Sequence, residues 1–322
     1  MERRDFLKIF SAGTVAAMSG QLVFRSFPVA FPGLPVTNIY EDIDTDAIEI
    51  ARSIQLMSST APDSQLFLDA FKRKELSLQV NSGSLDVYLQ KMQNFENSHH
   101  EDKFLGADQY PVLVSAFKRL DRVQNLVGHG NFNVLGFDEM LKHSKHHSSV
   151  GAFPKIESDF LEQIFSASAG QYGFFGEKVI QDLTSVVPVR DRKKMPRTGH
   201  FLFRGESEKL YAKVKEDIGS SIVLTSGIRS VVKQTHLFLA KAIQSKGNLS
   251  QASRSLAPPG HSFHGIGDFD VGKVGFGRKN FTSDFAETEE FRRLVDLGYV
   301  DMRYPLNNLL GVRYEPWHIK VV

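Results

Sequence analysis

Cysteine is absent from the 322 residues. That excludes disulfides, thiolate metal ligands and a cysteine nucleophile, and leaves His, Asp and Glu as donors for any metal. An excess of charge of one sign is also missing. The formal net charge of +2 is close to balance, without the basic footprint of a nucleic-acid binder. The apolar stretch Ile9 through Val23 is interrupted by Ser11, Gly13, Thr14, Ser19, Gly20 and Gln21, and is short for a membrane span, which needs about 20 apolar residues. Tryptophan occurs once against 26 phenylalanines, which carries no functional reading, while 41% apolar and 24% charged residues describe an ordinary globular protein. The length allows one large or two modest domains.

Residues 1–28 open with Arg3-Arg4-Asp5-Phe6-Leu7-Lys8 ahead of the small, apolar run. A charged start before a modest apolar segment is the layout of an export signal. The paired arginines resemble the twin-arginine signal of bacteria. The expectation is an exported, periplasmic protein. No clean cleavage site precedes the Pro28–Pro35 linker, so an uncleaved anchor is the one membrane connection left open.

Apolar residues at helical spacing predict helices over 42–57, 64–71, 84–95, 110–126 and 154–169, with breaks at Ser82-Gly83-Ser84 and Gly128–Gly130. His99-His100 lie in a polar stretch with Asn97, Ser98, Glu101 and Asp102 that reads as a solvated loop, while His143, His146 and His147 have no nearby carboxylate to complete a site; both groups read as surface histidines. Arg190–Arg197 reads as a solvated connection. Phe201–Phe203 reads as a short strand, and Glu206–Asp217 and Val231–Gln244 as helices.

Ser221–Thr225 is a β-branched apolar run, hence a buried strand, and it delivers Ser226-Gly227-Ile228-Arg229 into a turn. A guanidinium there can hold a carboxylate through two parallel hydrogen bonds, and Gln234 lies on the same rim. The chemistry concentrates further on. Ala257-Pro258-Pro259-Gly260-His261-Ser262-Phe263-His264-Gly265-Ile266-Gly267-Asp268-Phe269-Asp270 packs two histidines and two aspartates between glycines, and Tyr314-Glu315-Pro316-Trp317-His318 adds a carboxylate and an imidazole. A catalytic zinc takes three N or O donors and leaves one position open. His264, Asp270 and His318 supply three donors. Glu315 is then placed to act as general base on a water acidified by the metal, and Pro316 breaks the strand alternation that would hold it apart from His318.

These residues, in this order and spacing across roughly the last third of the chain, resemble the VanY-type D,D-carboxypeptidases. That group of zinc peptidases cuts bacterial cell-wall peptides and includes L,D-carboxypeptidases and L-alanyl-D-glutamate endopeptidases. The resemblance implies Zn2+ as cofactor, His264 and His318 as ligands and Glu315 as catalytic base. It implies that Ser262 and Gln234 hold substrate and that Arg229 both binds it and polarises the scissile carbonyl. It places an aromatic residue at His261. One position departs: the family's aspartate ligand falls at Val271. Asp270 comes one residue early, and a one-residue shift reverses the face of a strand, so a bulge or a shortened turn has to compensate. Asp268 is the fallback, as ligand or as partner of a ligating histidine.

The fold expected is α+β. A small antiparallel sheet with flanking helices carries the zinc site, preceded by a mostly helical region. The division is an export signal over 1–28, helices over 29–150 and a peptidase domain over 151–322, its motif-bearing core at 199–322. The function implied is zinc-dependent hydrolysis of D-alanyl-D-alanine or a neighbouring bond in peptidoglycan stem peptides, with carboxypeptidase favoured. The alternatives are a zinc-free, non-catalytic cell-wall-binding protein and, within the enzymes, an endopeptidase cutting deeper in the stem.

Overall fold

The protein is described from a computed structural model over residues 82–322. The signal, the linker and the helices expected over 42–57 and 64–71 lie outside the described residues. The helices are α1 (Ser82–Gln93), α2 (Tyr110–Val127), α3 (His129–Phe132), α4 (Phe137–His146), α5 (Lys155–Ser166), α6 (Glu206–Ile218), α7 (Val231–Gln244), α8 (Leu249–Ser255) and α9 (Glu289–Asp296). The strands are β1 (Arg192–Lys194), β2 (Phe201–Phe203), β3 (Ile222–Ser226), β4 (Phe269–Lys273) and β5 (His318–Ile319). This is the α+β architecture the sequence implies. No helix among the described residues is long and apolar enough to cross a membrane.

Two larger cores, beside a small cluster of Ala169, Phe174, Ala257, Tyr304 and Val312, divide the work. The first is helical. Leu113, Ala116, Leu120 and Val123 recur along one face of α2 and pack on α5 (Phe160, Leu161, Ile164) and α7 (Phe238, Leu239). The second lies under the sheet, where Tyr211, Val214 and Ile218 of α6 and Phe291 and Leu294 of α9 cover Ile222, Leu224, Phe269, Val271 and Ile319. β4 is the central strand, antiparallel to both β3 and β5. Buried apolar side chains worth about 1.5–3 kcal/mol each hold this sheet flat against its helices, with its other face turned to the candidate site.

Caps set the helix starts. Ser230, Asn248 and Thr288 each accept a backbone N–H from the first turn of α7, α8 and α9, a contribution of about 1 kcal/mol apiece. The Ser230 cap matters most, since it pins α7 immediately after Arg229. One expectation is corrected: the basic run at 190–197 is a hairpin arm rather than a solvated connection. Arg192, Lys193 and Lys194 pair with Phe203, Leu202 and Phe201, and only Leu202 faces the core. With one buried residue in β2 and none in β1 the alternation signal is too short to read. Helices α4, α8 and α9 were also not anticipated. The latter two, of 7 and 8 residues, are too short to show periodicity.

Candidate metal centre

Gly227 starts the site. A Cβ on it would stand 2.0 Å from the Phe201 carbonyl oxygen, so only glycine lets β2 press against this turn. The contact is sealed by Ile228 N–H donating to the same oxygen at 2.7 Å. The Gly227 carbonyl in turn accepts from His264 Nδ1 at 2.9 Å. That bond places the proton on Nδ1 and leaves Nε2 of His264 with a lone pair. His264 sits in the 3-10 turn Phe263–Gly265, closed by Gly265 N–H to the Ser262 carbonyl at 3.0 Å. Gly260, with φ of +86° and a would-be Cβ 2.9 to 3.1 Å from Lys178, Phe165 and Ile180, lets residues 165–180 lie directly on this loop. His261 is engaged there, its Nδ1 donating to the carbonyls of Glu177 (3.0 Å) and Gly176 (3.2 Å).

Alternation along β4 decides the carboxylate. Phe269 and Val271 point into the sheet core, so Asp268 and Asp270 share the opposite face. Val271, where the family pattern places its aspartate, is fully buried among apolar side chains. The register shift sits in β3: Leu224 pairs with Val271 and Ser226 with Asp270, leaving Thr225 as the extra residue. Asp270 stands directly opposite His318. Its Oδ1 is 3.1 Å from His264 Nε2 and 3.3 Å from His318 Nδ1.

His318 is held from its other nitrogen. Nε2 donates to Asp268 Oδ2 at 2.8 Å, and Nδ1 is buried without a hydrogen-bond partner. Asp268 has no capacity to spare: its oxygens also accept from Arg303 Nε at 2.6 Å and from Val321 N–H at 2.8 Å. It is placed as the orienting partner of His318. Arg303, whose guanidinium lies 3.4 Å over the Phe263 ring, was not anticipated, because nothing in its sequence setting marks it. Glu315 reaches the same point through a turn: His318 N–H bonds the Glu315 carbonyl at 3.2 Å, with Pro316 at the second position, where its fixed φ is favoured. Glu315 Oε2 then lies 3.8 Å from His318 Nδ1.

Arg229 closes the side facing α7. Its Nη2 is 3.2 Å from Asp270 Oδ2, 3.3 Å from His264 Nε2 and 3.1 Å from Ser226 Oγ, while Nη1 donates to Gln234 Oε1 at 3.1 Å. Gln234 is buried, and its amide nitrogen donates to the Ala257 carbonyl. Both ends of that amide are thus engaged within the protein, bracing Arg229. Ser262 is buried two residues before His264. The histidines at 143 and 147 lie on and just past α4, away from these residues. Glu139 Oε1 stands 3.6 Å from His143 Nε2, a carboxylate one helical turn away that the sequence reading overlooked.

Burial and charged neighbours set the electrostatics of the cluster. Burial, reinforced by Arg229, pushes the His264 imidazole down and keeps it neutral. Burial opposes charge on Asp270 too, but His264 and His318 outweigh it and hold the carboxyl well below its usual range. Burial would lower His318, yet the hydrogen bond to Asp268 and the adjacent Asp270 carboxylate raise it to about 9. Burial lifts Glu315 to about 7, partly countered by His318 and Arg313. One ligand atom from each of His264, Asp270 and His318 lies within 4.8 Å of the others. Zinc–ligand bonds of about 2.0–2.2 Å in a tetrahedron separate donors by about 3.4 Å, which the two Asp270 distances already match. Two imidazole lone pairs and a carboxylate aimed at one point, each imidazole fixed by its second nitrogen, form a donor set that fits zinc. It is the one such cluster of three or more donors among the described residues.

The site and sheet thus place a buried His/Asp/His cluster that could hold a metal ion on an α+β scaffold. A model of the D-alanyl-D-alanine carboxypeptidase family VanY matches residues 204–322. Solved structures similar to part of the chain include the LdcB LD-carboxypeptidase, described for peptidoglycan recognition (22% identity, 40% of this chain and 63% of that one, TM-score 0.33). Two others are a mutant of the vancomycin-resistance D,D-pentapeptidase VanY with Zn(II) (21%, 42% and 82%, TM-score 0.32) and VanYB with D-alanine-D-alanine (21%, 42% and 81%, TM-score 0.33). The chain spans under two thirds of the LdcB chain. No curated protein matches it.

Proposed function

We propose that this chain is an exported, zinc-dependent carboxypeptidase that removes the terminal D-alanine from peptidoglycan stem peptides. The observation that carries the reading is the convergence of His264 Nε2, Asp270 and His318 Nδ1, both imidazoles having their other nitrogen engaged. The VanY match over residues 204–322 supports the substrate class. The proposal includes the division into a signal over 1–28, helices over 29–150 and a peptidase domain over 151–322.

His264, Asp270 and His318 would hold the zinc, which when bound supplies Lewis acidity toward a water and a carbonyl. Glu315, lifted by burial into the range of a useful base, takes the proton from the attacking water and returns it to the leaving amine. Arg229, braced by Gln234, aims its guanidinium at the oxygen on which negative charge develops. Ser262, beside the first histidine, contacts the peptide.

The test is incubation of the purified protein with defined muropeptides and mass analysis of the products, alongside elemental analysis of the protein. Loss of a single D-alanine with about one zinc per chain is the expected result. Cleavage deeper in the stem would make it an endopeptidase. Absence of both zinc and cleavage would replace the enzyme by a cell-wall-binding protein.

A further inference from the structure

The stretch 88–104 lies well before the matched region, yet it grips the elements that carry the centre. Asp102 and Arg254 form a buried two-pronged ion pair at 2.7 and 2.8 Å. The same carboxylate accepts from Asn248 at 2.6 Å and from His99 N–H at 2.9 Å. Lys103 and Leu249 add a backbone bond of 2.8 Å, so this stretch is fastened along α8. The Arg254 carbonyl then accepts Arg313 N–H at 2.9 Å.

Arg313 continues the path to the site. Its guanidinium lies between two rings, 4.7 Å from that of Phe95 and 4.9 Å from that of Trp317. Its Nε is buried with no hydrogen-bond partner, so stacking and charge are what hold the side chain there. Trp317 is the third residue of the Glu315–His318 turn, and its carbonyl accepts Val271 N–H at 3.0 Å. Tyr88 adds a second attachment through its hydroxyl to the Leu309 carbonyl at 3.2 Å.

We propose that residues 88–104 are a built-in brace that positions the Glu315–His318 turn through Arg254 and Arg313, with Phe95 and Arg313 as positioning residues. The inference rests on the reading of Glu315 as general base and His318 as ligand. Neither Phe95 nor Arg313 belongs to the donor cluster, and because the Arg313 charge also acts on Glu315, Phe95→Leu is the variant that isolates positioning. Each residue fixes the turn that presents Glu315 and His318, where a displacement of about 1 Å costs on the order of 100-fold in rate. Lysine cannot replace Arg313, because an ammonium has no plane to lie between two rings.

The test compares the full chain with Phe95→Leu, Arg313→Met and Arg313→Lys. The expected result is a kcat lowered roughly 10- to 100-fold in Arg313→Met, with KM within about twofold and zinc content unchanged. Phe95→Leu falls in the same direction, and Arg313→Lys recovers only part. In parallel, hydrogen exchange at the His318 and Val271 amides rises about tenfold or more while β3 and α7 keep wild-type protection. Wild-type kcat and exchange in Arg313→Met and Phe95→Leu would overturn the brace. So would a uniform rise in exchange with a lowered Tm, which marks a general stability role. If the wild-type protein cleaves no muropeptide, the proposed function fails, and the exchange comparison still decides the brace.

Discussion

Asp268 holds the Nε2 of His318 at 2.8 Å, and that contact turns Nδ1 toward Asp270 and His264. Two aspartates two residues apart, on the same face of the chain at the start of β4, therefore divide the labour. One is placed to bind a cation and the other orients a ligand.

The division predicts unequal mutants. Asp270→Ala removes a donor and is expected to abolish stoichiometric zinc. Asp268→Asn keeps the donor set and is expected to weaken zinc roughly 10- to 100-fold. Competition against a chromogenic chelator distinguishes the two, and equal losses would contradict the assignment.

Zinc uptake should release a proton. His318 is raised to about 9 in the metal-free protein, so at pH 7 its imidazole is protonated and must lose that proton to ligate. Affinity is expected to fall as pH drops below about 9. Calorimetry in buffers of different ionisation enthalpy measures the proton count. In the metal-free protein the sign for stability runs the other way. The raised pKa contributes stability that is complete below the ordinary value of 6.5 and is lost as pH rises through about 9, visible as a declining Tm over that window.

Glu315→Gln is expected to retain zinc and lose at least about 100-fold in kcat. Glu315 stands at about 7 without metal, and a nearby dication draws a carboxyl down. The acid limb of kcat/KM should therefore lie below 7 and disappear in the variant. A limb that persists there would move the base elsewhere.

Gly227→Ala tests the close approach beneath His264. The added Cβ meets the Phe201 oxygen at 2.0 Å, and overpacking of this kind costs about 1–3 kcal/mol. A lowered Tm with reduced zinc occupancy is the expected pair of effects, read by calorimetry and elemental analysis.

Much of this was legible in the linear chain. Helix α7 runs over Val231–Gln244 as its periodicity implies, and α2 differs from expectation by one residue at its end. His264, Asp270, Glu315, His318, Arg229 and Gln234 are brought together. Other features were not legible. Arg303 and Asp268 are 35 residues apart, and Asp102 and Arg254 are 152 apart. Neither pairing leaves a local trace. Short helices such as α8 and the hairpin arm β1 bury too few residues to show a period.

The sequence by itself determined the donor chemistry. Without cysteine, any metal falls to His, Asp and Glu, and the glycines and prolines around His264 and Glu315 mark turns that bring backbone close. Only the tertiary structure decided which aspartate does what. Side-chain face in a strand follows register, and register here is set by the bulge at Thr225 and by pairing across 48 residues between Asp270 and His318. The core claims Phe269 and Val271, and that burial leaves Asp270, one residue early by sequence, on the face where the two imidazoles meet.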